Sequence, residues 1–331
     1  MRAMRLDRVA PVAAAPLASV DVPEPVPGRG EVAIAVEACG VCRTDLHIVE
    51  GEVAAPLPRI LGHQAAGRIA RVGDGVAGLH EGDAVGVGWM ASVDGVCEWC
   101  RSGRENLCPR ARFTGRDRDG GFAEVVTARA EWVYPLPSGA GALSAAPLLC
   151  AGVIGWRALK LAGVTRGGRL GLFGFGASAH IAIQIALDRG CEVYAFTRGE
   201  AGQRLALEMG ARWAGGANDD PGVALDGAVT FAPAGELVPA ALSRLAAGGT
   251  VAINAIHMTP IPSMPYELIY GERVVRSVQN ATRQDALELL ELAAAIPIRA
   301  HVAEYGLEDA NVALGDVARG AVRGAAVLRV V

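Results

Sequence analysis

Residues 169–179 read Arg169-Leu170-Gly171-Leu172-Phe173-Gly174-Phe175-Gly176-Ala177-Ser178-Ala179, and Ile181, Ile185 and Leu187 follow at helical spacing. An apolar run, a glycine turn and a helix in that order make one βα unit. The first glycine permits a tight turn, and the second lets backbone amides approach a pyrophosphate. A small third residue, here Ala179, allows close helix packing. Gly174, Gly176, Ala177, Ser178 and Ala179 are therefore candidate cofactor contacts. Glycine turns also join ordinary strands to helices, so the surroundings must decide.

Those surroundings repeat the unit. Further strands are expected at Glu192 to Phe196, Ala228 to Phe231, Thr250 to Asn254 and Val274 to Val278, alternating with Ala/Leu-rich helical stretches. A spacing of roughly 20 residues is what successive βα units need, and it implies a parallel sheet covered by helices in an α/β fold. The second strand ends in Thr197-Arg198-Gly199, without the acid that usually accepts from a ribose 2′-hydroxyl. A hydroxyl and a guanidinium there suit a 2′-phosphate, so NADP(H) is favoured over NAD(H). The competing reading leaves Arg198 to solvent and gives the ribose to Glu200. Asn254, closing the fourth strand, joins the cofactor candidates.

Residues 1 to about 150 have a different texture, rich in Gly, Pro and alternating runs such as Glu31-Val32-Ala33-Ile34-Ala35-Val36-Glu37. That period marks half-buried strands. Past Thr282 a helical run, Gln284 to Ala295, leads to strand-like pieces ending in Ala325 to Val330. The whole chain of 331 residues, 51% hydrophobic, is long enough for two full cores. With 31 basic against 35 acidic residues and a charge of −4, it has no basic stripe for nucleic acid or anionic membrane. A small-molecule partner fits better. The N-terminus lacks a signal-peptide core, and no stretch reaches the ~18 apolar residues of a spanning helix, so a cytoplasmic location is expected. Seven cysteines there are thiols or metal ligands rather than disulfides, with Cys39 and Cys191 as apolar fillers.

The chemistry-bearing residues lie mostly in the first part. Gly40-Val41-Cys42-Arg43-Thr44-Asp45-Leu46-His47, Gly62-His63 and Cys150 offer two thiols and an imidazole for a metal, with a hydroxyl and a second imidazole to move a proton. Three such ligands with an open fourth position suit a catalytic zinc. With these motifs the chain resembles, nearly end to end, the zinc-dependent alcohol dehydrogenases of the medium-chain dehydrogenase/reductase family. The resemblance implies a GroES-like β-rich catalytic domain over 1–151 and 287–331, and a doubly wound parallel-sheet (Rossmann) domain over 152–286. It also implies Cys42, His63 and Cys150 as catalytic zinc ligands, Thr44 and His47 as a proton relay completed by the cofactor ribose, and a homodimer or homotetramer. Asp45 would orient a ligand.

Two departures stand out. Gln64 replaces the Glu that relatives carry after the zinc histidine. In the segment from Asp94 to Cys108, relatives use four cysteines for a structural zinc; here Cys97, Cys100 and Cys108 match and Asp94 takes the first place. Carboxylate oxygen binds zinc, so a Cys₃Asp site is feasible; otherwise the loop has lost its metal. Trp89, Phe113, His257, Met258 and Trp156 are pocket candidates, with Trp156 better suited to the core. Arg323 falls where relatives place a basic residue toward the cofactor phosphates, or it is a surface charge. The function expected is hydride transfer between a nicotinamide cofactor and an alcohol or carbonyl compound. A reductase of activated C=C or C=N bonds is the alternative, and a non-enzymatic cofactor-binding protein the second.

Overall fold

The alternation at 31–37 becomes strand β1, Glu31–Val41, in the computed structural model, which describes residues 1–296 and 298–331. Val32, Ile34 and Val36 are fully buried. β1 pairs antiparallel along one edge with β2, Ala65–Val72, and shares its other edge between Val125–Arg129 and Ala325–Arg329. Helix α1, Arg43–Val49, starts where β1 ends and buries Leu46, Ile48 and Val49 in the same core as Ile34, Leu61 and Phe122. Each such aliphatic side chain contributes about 1.5–3 kcal/mol on burial, which anchors the segment carrying Cys42 and Thr44.

The chain divides into two compact units, one formed by Met1–Ala151 with Asn280–Val331 and the other by Gly152–Gln279. The return expected at residue 287 falls inside a helix. That helix, Arg283–Ala295, is fixed at its start by reciprocal bonds: Thr282 Oγ1 accepts from the Asp285 amide at 3.1 Å, and Asp285 Oδ2 accepts from the Thr282 amide at 2.8 Å. The returning segment begins earlier than this cap, at Asn280.

In the second unit the expected strands form an all-parallel sheet of β3 (Arg169–Phe173), β4 (Glu192–Phe196), β5 (Trp213–Gly215), β6 (Leu225–Thr230), β7 (Leu245–Ile253) and β8 (Val274–Ser277). Their spatial order is β5-β4-β3-β6-β7-β8. From β3 the chain runs outward through β4 and β5, then crosses to β6 on the other side of β3. The order therefore reverses at the carboxyl end of β3, the place where open α/β sheets bind ligands. β5 has no counterpart among the expected strands, being three residues long and too short to show a period. Among the described residues no single helix is long and apolar enough to cross a membrane.

Candidate active site and metal centres

Asp45 organises the first cluster. It is fully buried on α1, and its Oδ2 accepts from the Cys42 amide at 2.8 Å. Its Oδ1 accepts from the Gly62 amide at 3.3 Å and bonds His63 Nδ1 at 3.1 Å. One carboxylate thus ties the segment of Cys42 to the segment of His63. Gly62 is obligatory there: its φ is +91°, and a Cβ would lie 2.4 Å from Phe122 Cδ1. Cys150 arrives from a third segment, at the end of the 3₁₀ turn Ala146–Leu149.

The ligating atoms of Cys42, His63 and Cys150 lie within 4.8 Å of one another. His63 Nε2 is buried without a hydrogen-bond partner. Nδ1–H is given to Asp45, so a metal that displaced the Nε2 proton would find the lone pair aimed toward the two sulfurs, as a metal-binding imidazole requires. The hydrogen bond with Cys150 draws the Cys42 thiol well below its ordinary value, helped by His63 and the Thr44 amide, while the same bond and burial push Cys150 well above. Burial opposes a charged His63, yet Asp45 and Cys42 outweigh it and raise it to about 10. Such a crowd of proton-binding atoms is what a divalent cation displaces protons from. Two thiolates and an imidazole fit zinc, leaving a fourth position open.

Around this cluster Thr44 is half-buried, with Oγ1 3.7 Å from Cys42 Sγ. His47, buried about one turn along α1, bonds through Nδ1 to the carboxylate of Glu52. Sequence reasoning missed Glu52 because it stands in the loop after α1 and belongs to no motif. Trp89 meets the His63 ring edge-on at 4.9 Å and stacks on Phe113 at 4.7 Å and 15°. An aromatic wall therefore stands beside the His63 imidazole. Gln64 is buried, with its amide packed over Gly40, where a Cβ would lie 2.8 Å from Gln64 Cδ.

The second cluster, Asp94, Cys97, Cys100 and Cys108, also has its ligating atoms within 4.8 Å. Asp94 Oδ1 accepts from the Val96 and Cys97 amides, both at 2.9 Å, and these bonds hold its carboxyl far below the usual range. Its Oδ2 is buried without a hydrogen-bond partner, 3.8 Å from Arg110 Nε. Cys97 and Cys100 sulfurs are 3.5 Å apart, and burial with the Cys97 bond pushes Cys100 up to about 12. A carboxylate with one oxygen spent on the loop and the other toward three thiols fits a tetrahedral zinc.

In the second unit, Gly174 ends β3 with φ +93°, where a Cβ would lie 2.9 Å from the Ala232 nitrogen. Gly176 caps α3, Ala177–Asp188, and faces open space. Ala179 is buried, and Gly155 of α2, Ala151–Ala162, comes within 3.3 Å of Ser178 O at the position of an added Cβ. The loop therefore leaves backbone amides and a helix N-terminus exposed together, a cradle that fits a pyrophosphate. Past β4, Thr197 is half-buried and Arg198 exposed, with no acid at the strand end; Glu200 is exposed and paired with Arg204. Asn254 is half-buried after β7. Arg323 lies on an exposed turn of the first unit. His257 is exposed on a loop of the second unit. Met258 is partly buried and packs against the core of Phe173, Phe196 and Ile253. Trp156 is buried, with Lys160 and Arg189 each 5.5 Å from its ring, and serves as core.

Residues 28–138 match the alcohol dehydrogenase GroES-like domain. The chain is similar to the probable alcohol dehydrogenase AdhA of Mycobacterium tuberculosis, 45% identical over 99% of this chain and 97% of the relative. Its fold is that of a cinnamyl alcohol dehydrogenase from Sorghum bicolor, with a TM-score of 0.91 at 28% identity over 99% of this chain and 97% of that one. A cobalt- and zinc-bound thermostable alcohol dehydrogenase from Pyrobaculum aerophilum superposes with a TM-score of 0.89 at 26% identity, over 100% of this chain and 99% of that one.

Proposed function

The chain belongs to the alcohol dehydrogenases of the medium-chain dehydrogenase/reductase family, and we propose that it is a zinc-dependent oxidoreductase transferring a hydride between NADP(H) and an alcohol/carbonyl pair. The observation that carries the reading is the convergence of Cys42 Sγ, Cys150 Sγ and the unpartnered His63 Nε2 on one point. Zinc, when bound, supplies a Lewis acid that acidifies an alcohol or polarises a carbonyl, and the nicotinamide supplies the hydride partner.

The chain's own groups do the rest. Asp45 holds His63 in the ligating tautomer and fixes Cys42 through its amide. Thr44 Oγ1 would receive the hydroxyl proton as it gives up its own, by way of the cofactor ribose, to His47, which passes a proton toward Glu52, 40% exposed. Trp89, held edge-on to His63 and backed by the stacked Phe113 ring, sets an apolar boundary for the substrate's carbon skeleton. Gly174 and Gly176 admit the pyrophosphate, Ser178 and Ala177 begin the helix beneath it, and Thr197 with Arg198 receives the 2′-phosphate. All seven cysteines are unbridged, in keeping with a reducing cytoplasm. The four exposed residues of β8, at the edge of its sheet, support association with a second copy.

An NADPH-consumption screen of the zinc-loaded enzyme against aliphatic aldehydes, aromatic aldehydes and enones tests the reading. Aldehyde reduction lost in both Cys42→Ala and Cys150→Ala, with the fold and cofactor binding retained, is the expected result. Turnover of enones alone would move the activity to C=C reduction. No turnover at all would favour a cofactor-binding protein.

A further inference from the structure

Asn280 is the first residue of the returning segment and has a left-handed backbone, φ +53°, which Asn tolerates better than most residues. Its amide is engaged at both ends. Trp89 Nε1 donates to Asn280 Oδ1 at 3.1 Å, and Asn280 Nδ2 donates to the carbonyl of Asn106 at 3.0 Å. The amide's orientation is unambiguous, because an indole nitrogen can only donate and a carbonyl can only accept. Asn106 is buried in the short turn Glu105–Leu107, just before Cys108 of the second thiol cluster. A second bond, from the Arg283 amide to Glu105 Oε1 at 2.7 Å, ties the same turn to the returning segment.

We infer that Asn280 is a specificity-determining positioning residue, clamping the Trp89 indole so that the Trp89–Phe113 wall accepts planar aromatic alcohols and aldehydes. The inference rests on the alcohol dehydrogenase reading. Trp89 touches the His63 ring on one side and Phe113 on another, but neither contact stops the indole from sliding in its own plane. The hydrogen bond to Asn280 does, since it fixes the ring at its nitrogen. Only Asn serves all three demands here: the left-handed φ, an acceptor for the indole, and a donor for Asn106. Gly keeps only the backbone, and Asp keeps the backbone and the acceptor.

The test compares KM for benzyl alcohol and for ethanol in the full-length, zinc-loaded enzyme. Loss of one neutral hydrogen bond corresponds to about a three- to tenfold change. Asn280→Gly should raise the benzyl/ethanol KM ratio by about that factor while kcat for benzyl alcohol moves less. Asn280→Asp should restore most of the wild-type ratio. In a Trp89→Phe background, which has no indole N–H, Asn280→Gly should leave the ratio unchanged. Acrylamide quenching of the Trp89 emission, obtained by difference from Trp89→Phe, should increase in Asn280→Gly. An unchanged ratio and unchanged quenching in Asn280→Gly would overturn the clamp, as would an equal effect with and without the indole. Failure of the wild type to oxidise either alcohol would instead count against the enzymatic reading, and the quenching comparison would still decide the clamp.

Discussion

Asp45 and Arg198 show how differently single residues can be read. Asp45 is three residues after Cys42, so its backbone distance on α1 brings it back to the Cys42 amide, and its second oxygen reaches Gly62 and His63. The expectation that it orients a ligand was available from its place in the motif; that it joins two ligand segments was not, because the pairing of 42 with 62 is a tertiary fact. Asp45→Ala leaves two backbone donors unpaired in a dry site, each costing about 1–3 kcal/mol, and frees the His63 ring. Zinc affinity at the Cys42 cluster should fall about 10–100-fold, measured by competition with a chromogenic chelator; unchanged affinity would show that the ligands are held without it. Arg198 is exposed after β4 and Thr197 is half-buried beside it. Arg198→Ala should weaken NADPH binding and spare NADH, read as the ratio of their KM values. A wild type that prefers NADH would remove the phosphate-binding role.

Elements were legible in proportion to their period. β3 and β4 occupy Arg169–Phe173 and Glu192–Phe196, the segments expected from continuous apolar runs ending in a glycine turn or a polar pair. β7 begins at Leu245, five residues ahead of the expected Thr250, because Ala246-Ala247-Gly248-Gly249 has no apolar pattern and joins the strand only through its neighbours. The loop from Asp94 to Cys108 was legible by its thiol spacing alone, and its geometry turns on a single carboxylate. Asp94 spends Oδ1 on two amides, so it acts as the loop's local cap and keeps Oδ2 for the thiols. A cap and a candidate ligand in one side chain would make the element sensitive twice over. Metal analysis of the reduced, zinc-supplemented protein should find about two zinc ions per chain, with Asp94→Ala losing one and keeping the catalytic one. Asp94→Asn, which retains the amide-accepting oxygen, should keep the loop's backbone protection better than Ala while binding the metal more weakly. One zinc per chain in the wild type would make the thiol loop a metal-free remnant.

The molecule places its two chemistries on separate cores. Both thiol clusters lie in the unit of Met1–Ala151 with Asn280–Val331, and the glycine loop lies in Gly152–Gln279. Each ligand should therefore stabilise first the unit that holds it. Hydrogen exchange followed by mass spectrometry can separate the two contributions along the chain. Chelation of zinc should raise exchange in 42–49, 60–65 and 94–108, where backbone amides are held by Asp45 and Asp94, and leave β3 and α3 protected. Saturating NADPH should slow exchange in 172–180, since a ligand at a hundred times its Kd adds about 2.7 kcal/mol to the unit it binds. The glycine loop is the natural reporter, because the Gly174 amide bonds Phe196 O at 2.7 Å while Gly176 faces open space, so one amide is already protected and its neighbours are poised to gain. Chelation that loosened β3 and α3 as much as the thiol loops would show that the metals stabilise the molecule as a whole, and the separate assignment of chemistry to the two cores would then fail.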